Sequence, residues 1–395
     1  MSYRLLPALL SLGVVLGGCF GAPERNPVPT ELIDVAGIPG APGSRAWADA
    51  WPTYNMQRFM AMTDAELRTN FAHLYGTSHN YLAISGGGAN GAFGAGLLVG
   101  WTAAGNRPEF SIVTGVSTGA LTAPFAFLGS DYDDDMHHVY TTISTEDILE
   151  ERGIIAGALS DSMADTRPLR RMLEETFDEG IIDAIGREYE DGRRLYIGTV
   201  NLDAGRPVIW NIGEIASSDH PNRIGLIHDI LQASSAIPVA FPPVMIEVEA
   251  NGATYDEMHV DGGTGSQVFV YPASVDWRIF TERLAVVGRP NVYVIRNSFI
   301  GSSHQNVNRT LMPIASRAID SLIRTQGIGD LYQIHALCNR DGNDFHLAYI
   351  PASFTEVPAE AFDPVYMSKL FDVGYEMARN GYPWQDTPPG FGLDR

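Results

Sequence analysis

From residue 80 onward, short apolar runs alternate with longer segments of helical period. Tyr81-Leu82-Ala83-Ile84 predicts a buried strand, followed by a glycine loop and an apolar helix around Phe93–Trp101. Ser111-Ile112-Val113-Thr114 predicts the next strand, then a sharp turn and a helix from Ala120. Pro124 falls inside that helix and is expected to kink or shorten it, since it lacks a backbone donor. Leu195–Val200 and Val208–Trp210 read as strands joined through Asp203-Ala204-Gly205. Arg223–Ser234 reads as a helix, and Asn251-Gly252 predicts a hairpin between Met245–Val248 and Thr254-Tyr255. Val292–Ile295 is a continuous apolar strand, and Thr310–Thr325 a long helix. This alternation predicts an α/β fold, a three-layer α/β/α sandwich around a largely parallel central sheet.

The N-terminal pattern is different. Arg4 precedes an apolar run from Leu5 to Leu16, then small residues and Cys19. Residues 1–18 read as a signal peptide, too short to span a bilayer as a mature helix. Leu16-Gly17-Gly18-Cys19 resembles the lipobox of bacterial lipoproteins, which implies cleavage before Cys19 and lipidation there. Phe20 stands where an aspartate would signal inner-membrane retention, so the expected place is the outer membrane, facing the periplasm. Residues 19–45, rich in proline and glycine, are expected to be a tether. Residues 46–79 form a lead-in, with Thr63 capping a helix that begins Asp64-Ala65-Glu66-Leu67. Residues 80–275 form the core, and 276–395, which carry no assignable motif, pack on the same domain.

Composition narrows the partners. The chain has 395 residues, 45% of them apolar, and a net charge of −21. That charge argues against a nucleic-acid partner, because phosphate binding needs a basic surface. Cys19 and Cys338 are the two cysteines, too few for a disulfide framework or a zinc site. Asp133-Asp134-Asp135 precede His137-His138, but the spacing of a zinc or calcium site is absent, so no metal is expected.

Three elements carry the chemistry. Gly115-Val116-Ser117-Thr118-Gly119, between strand and helix, has the form of a nucleophile elbow. Glycines are needed at 115 and 119 because flanking side chains would collide. Ser117 is then exposed beside a helix N-terminus, where anionic charge is favoured. Ser85-Gly86-Gly87-Gly88-Ala89-Asn90-Gly91 is a loop whose backbone N–H groups can converge on an anion. Gly86, Gly88 and Gly91 also fit a dinucleotide fingerprint, but the acidic residue it requires is missing; Glu109 precedes the next strand. Asp261-Gly262-Gly263 follows a short β-run, and its carboxylate is placed to act as a general base.

In that order, Gly-Gly-Gly-x-x-Gly, Gly-x-Ser-x-Gly and Asp-Gly-Gly resemble the patatin-like phospholipase family. Asp165–Leu169, Asn201–Gly205 and Ala233–Pro238 leading to Phe241-Pro242-Pro243 agree with it. The resemblance implies a patatin-like fold and hydrolysis of lipid or phospholipid esters without a cofactor. It makes Ser117 the nucleophile, Asp261 the base, and Gly86, Gly87 and Gly88 the oxyanion loop. Asn90 stands where the family usually has arginine or lysine, which puts a preference for anionic head groups in doubt. Two other readings stay open. His304, His335 or His346 would complete a Ser-Asp-His triad acting on soluble esters. A lipid-binding envelope lipoprotein would keep the site without turnover. The sequence gives no oligomeric state.

Overall fold

The apolar runs pair into one sheet. The computed structural model describes residues 25–391, apart from 152–161, 302–303 and 305. The strands of the central sheet are β1 (Arg45–Trp47), β2 (Asn80–Ile84), β3 (Ile112–Val116), β4 (Arg194–Asn201), β5 (Arg206–Asn211), β6 (Val244–Ala250), β7 (Ala253–Asp261), β8 (Asn291–Arg296) and β9 (Asp344–Tyr349). They lie in the order β1-β5-β4-β3-β2-β8-β9, with the β6–β7 hairpin joined through β7 to β4. β4, β3, β2, β8 and β9 run parallel; β5 pairs antiparallel with both β4 and β1, and β7 pairs antiparallel with β4 and β6. Parallel strands are covered on both faces, which is why β2, β3 and β8 are apolar runs without alternation.

Among the described residues the longer helices are α1 (Thr53–Ala61), α2 (Asp64–Asn70), α3 (Gly91–Ala103), α4 (Thr118–Leu128), α5 (Asp133–Thr142), α6 (Arg167–Thr176), α7 (Glu179–Glu190), α8 (Arg223–Ser234), α9 (Leu311–Asp341) and α10 (Pro364–Arg379). On one face, Leu82, Ile84, Val113 and Ile197 pack in one core with Phe93 and Leu97 of α3, Phe125 of α4 and Leu231 of α8. On the other, Tyr81, Ala83, Val292 and Leu347 pack with Leu331, Ile334 and Cys338 of α9 and Met56 of α1. These are the three layers of the expected sandwich. Pro124 sits inside α4, which continues past it to Leu128. Thr63 caps α2 through a reciprocal capping box with Glu66.

Two expectations are corrected. The first concerns residues 25–45, which pack on the domain instead of forming a tether. Ala36, Ile38 and Ala41 are buried in the main core. Arg25 pairs with Asp203 and Asp256, and Arg45 with the buried Glu257 at 2.6 Å. The prolines and glycines there shape close turns along the sheet edge, where Gly37 bridges Glu249 and Ile38 bridges Ala41. Cys19 and the lipobox lie outside the described residues. The second concerns the long helix predicted to end at Thr325, which runs to Asp341. Gly327 and Gly329 weaken a helix by roughly 1 kcal/mol each. The buried stripe Leu331, Ile334, Leu337 and Cys338 outweighs them. Gly342, in the left-handed conformation, ends the helix.

Candidate active site

The elbow has the geometry its glycines require. Ser117 sits at φ 56, ψ −127, a conformation costing a non-glycine residue about 1–3 kcal/mol. A Cβ on Gly115 would stand 2.4 Å from the Gly119 carbonyl oxygen, and one on Gly119 would stand 2.3 Å from that of Ile84. Neither position has room for a side chain. Two bonds of the buried Ser234 hold the turn. Its Oγ accepts from the Ser117 N–H at 3.0 Å and donates to the Gly198 carbonyl at 2.7 Å. Ser117 itself is 7% exposed.

β4 brings Ser117 and Asp261 together. Along one edge, β4 pairs with β3 as far as Val116 opposite Gly198. The next residue on that edge, Thr199, pairs with Asp261 at the end of β7. The nucleophile candidate therefore leaves the sheet where the carboxylate arrives. Asp261 is 5% exposed. Burial raises its pKa to about 6, opposed by a hydrogen bond from the Ser117 side chain and by the Gly263 N–H. The Gly263 N–H donates to Oδ1 at 2.7 Å. The Asp261 N–H is held by the Ala236 carbonyl at 2.9 Å.

The glycine loop narrows the candidate anion donors. Gly86 was expected among them, but its N–H is already donated to the Gln267 carbonyl at 3.1 Å. This bond fastens the start of the loop to the segment after Asp261. It leaves Gly87 and Gly88 as the donor candidates of the loop. Gly88 takes φ +56, and a Cβ on Gly87 would stand 2.2 Å from the Asn297 carbonyl oxygen. The N-termini of α3 and α4 both begin here, so two helix ends with partial positive charge face the same region. Asn90 brings no charge; its Oδ1 accepts from the Tyr366 hydroxyl of α10 at 2.6 Å.

Three residues shape the site without a signal of their own in the sequence. Asn297, fully buried after β8, donates to the Ser85 carbonyl at 3.0 Å and accepts from the Gly94 N–H at 3.0 Å, which fixes the loop. Ser234 pins the elbow. Gln267 lies across the site: its Nε2 donates to the Gly263 carbonyl at 3.2 Å. Its Oε1 and the Ser117 Cβ both lie against Gly86. Asp330 of α9 holds Gln267 in turn, accepting from its N–H at 2.7 Å. Only Ser234 falls in a segment that the family resemblance singled out.

The histidines are engaged elsewhere. His346 pairs with Asn291 at 3.1 Å, on a strand three places from β3. His335 of α9 packs edge-on against Phe345 and Phe391. His304 is exposed. His259 is fully buried between Glu257 at 3.0 Å and Thr199 at 2.9 Å. Cys338 is buried, and its thiol is pushed up to about 12. Asp133 pairs with Arg107 at 2.8 Å. Among the described residues, no group of histidine, cysteine and carboxylate side chains is arranged to hold a metal ion. A cavity of 460 Å³ is lined by His79, Ser111 and Arg194, at the N-terminal ends of β2, β3 and β4. It therefore lies at the opposite end of the sheet from Ser117.

A largely parallel sheet between two helical layers, with a serine elbow after one strand and an Asp-Gly-Gly turn beside it, is the patatin type of α/β sandwich. Residues 82–274 match the family model of patatin-like phospholipases, so that span is a patatin-like phospholipase domain. Among solved structures it is similar to VipD from Legionella pneumophila, with 14% identity and a TM-score of 0.39. That likeness covers 77% of this chain and 66% of VipD, so the chain spans just under two thirds of that protein's length. No curated protein sequence matches.

Proposed function

We propose that this protein hydrolyses carboxylic esters of lipids through a dyad of Ser117 and Asp261. The observation that carries this reading is the shared edge of β4, where Val116 and Asp261 pair with consecutive residues. Asp261 takes the hydroxyl proton as Ser117 attacks the acyl carbonyl. The N–H groups of Gly87 and Gly88 receive the oxyanion, each such donor lowering the barrier by about 3–4 kcal/mol. Asp261 returns the proton to the departing alcohol oxygen, and the carboxylate so regenerated activates the water that releases the acid from the acyl-enzyme. The positions of His335 and His346 favour this dyad over a histidine triad. The test is a panel of soluble esters and phospholipids with Ser117→Ala and Asp261→Asn, beside labelling by a fluorophosphonate probe. Labelling of the wild type and loss of turnover in both variants are expected. Turnover equal to wild type in either variant overturns the mechanism. A wild type that neither turns over nor labels leaves a non-catalytic lipoprotein.

We further propose that Cys19 carries the acyl chains that hold the protein in the cell envelope, at the outer membrane facing the periplasm. More than one chain is needed for stable anchoring. Mass spectrometry of the mature N-terminus tests this, and an unmodified Cys19 refutes it.

A further inference from the structure

The N-terminal half of α9 does not behave like the rest of that helix. Leu331, Ile334, Leu337 and Cys338 in the C-terminal half are buried against the sheet. In the N-terminal half, Leu311 is 80% exposed, Ile314 50% and Leu322 69%. With Ala318, also exposed, they stand at i, i+3, i+7 and i+11, one continuous face of a helix. Val307, just before the helix, is exposed too. The stripe runs about 16 Å from Leu311 to Leu322, and a continuous exposed apolar patch marks an interaction site more often than single exposed residues do.

Charge says what the stripe faces. Over residues 306–327, Arg309, Arg317 and Arg324 stand against Asp320 alone, a local excess of +2 in a chain of net charge −21. The stretch that carries the stripe is therefore opposite in sign to the chain as a whole. An apolar face flanked by arginine is the pattern of a helix lying in an anionic lipid interface. The helix is also attached to the candidate site. Gln326 bonds the Gly265 carbonyl, Gly327 lies against Gln267, and Asp330 holds the Gln267 N–H. Leu322 is one turn before these contacts, so the stripe starts at the rim of the site and runs away from it.

We infer that the exposed face of residues 307–322 docks this protein on an anionic lipid surface and sets the rim of the Ser117 site against it. This rests on the lipid-ester reading above and adds the surface, the partner's charge and the orientation. Docking by this face is separate from any anchor at Cys19.

The test uses the full chain carrying Cys19→Ser, so that no acyl anchor contributes. Co-sedimentation is measured with phosphatidylcholine vesicles, with and without phosphatidylglycerol. The parent protein is expected to sediment with the anionic vesicles and much less with the neutral ones. Leu311→Gln with Ile314→Gln and Leu322→Gln is expected to weaken that binding by at least about tenfold. Hydrolysis of a short soluble ester stays unchanged, since these side chains are exposed and outside the site. Equal sedimentation of parent and triple variant overturns the inference, as does a parent that ignores both vesicles. A parent dimer in light scattering that the triple variant dissolves also overturns it, because a second copy then covers the face. If vesicle binding follows the stripe but no ester is turned over, the docking surface stands and the dyad reading fails.

Discussion

Asp261 is placed where its charged form is disfavoured, and a base must be charged. Burial raises its pKa to about 6. Turnover that depends on this carboxylate is therefore expected to fall off below about pH 6 as a single ionisation, and to be flat above it. The same shift has a stability sign. The folded-state pKa lies above the ordinary aspartate value of 3.8, so the folded protein binds the proton more tightly. Stability then drops as pH rises from about 4 to about 6, and the full penalty is present above that. Two units correspond to about 3 kcal/mol as an upper figure. Asp261→Asn is expected to be inactive yet more stable than wild type at pH 8, with the gap closing towards pH 4. Urea unfolding at the two pH values reads the difference; a variant less stable at pH 8 contradicts the buried-charge account. At this scale the sequence was readable where chemistry forces a local pattern. Gly115 and Gly119 are there because carbonyl oxygens stand within 2.4 Å of where a Cβ would go. Asn297 and Ser234 act through side-chain bonds to segments far away in the chain, and Gln267 through its carbonyl to Gly86; of the three, only Ser234 lies in a stretch that the family resemblance marks. Gly86 shows the converse: it fits the motif, but its N–H is already used.

At the scale of elements, turn chemistry was the most legible signal. Asn251 and Gly252 take φ 51 and φ 78 and close the β6–β7 hairpin as the dipeptide predicts. The strands of the parallel core appear as unbroken apolar runs because both of their faces are covered. What local pattern did not carry was the reach of packing. α9 passes two glycines because its next turns are buried. Residues 25–45 look like an open chain in composition, yet Arg45 crosses to Glu257 and Ala36, Ile38 and Ala41 enter the core. Such contacts are set by partners about two hundred residues away, and only the folded chain displays them.

At the scale of the whole molecule, the matched span and the structural unit differ in extent. The family match covers 82–274, but β1, β8 and β9 belong to the same sheet, and α10 lies on α3 so closely that a Cβ on Gly96 would stand 2.0 Å from the Phe371 carbonyl oxygen. The final third of the chain, silent in motifs, supplies Asn297 to the loop, Asp330 beneath Gln267 and Tyr366 to Asn90. Its sequence carries no local mark of this because each contribution is a single polar side chain on an otherwise ordinary element.

The shared edge of β4 also dictates an order of events during folding. Val116 meets Gly198 across 82 residues of chain, and Asp261 meets Thr199 across 62. Both closures are non-local, and such contacts form slowly because loop entropy is lost before they stabilise anything. Helices and the hairpin at Asn251-Gly252 depend on neighbours in sequence and form first. Ester turnover thus becomes a reporter of the last assembly step. After dilution from denaturant, helical circular dichroism is expected to recover before hydrolytic activity does. Simultaneous recovery of the two signals would mean that the edge of β4 is already occupied on both sides when the helices appear.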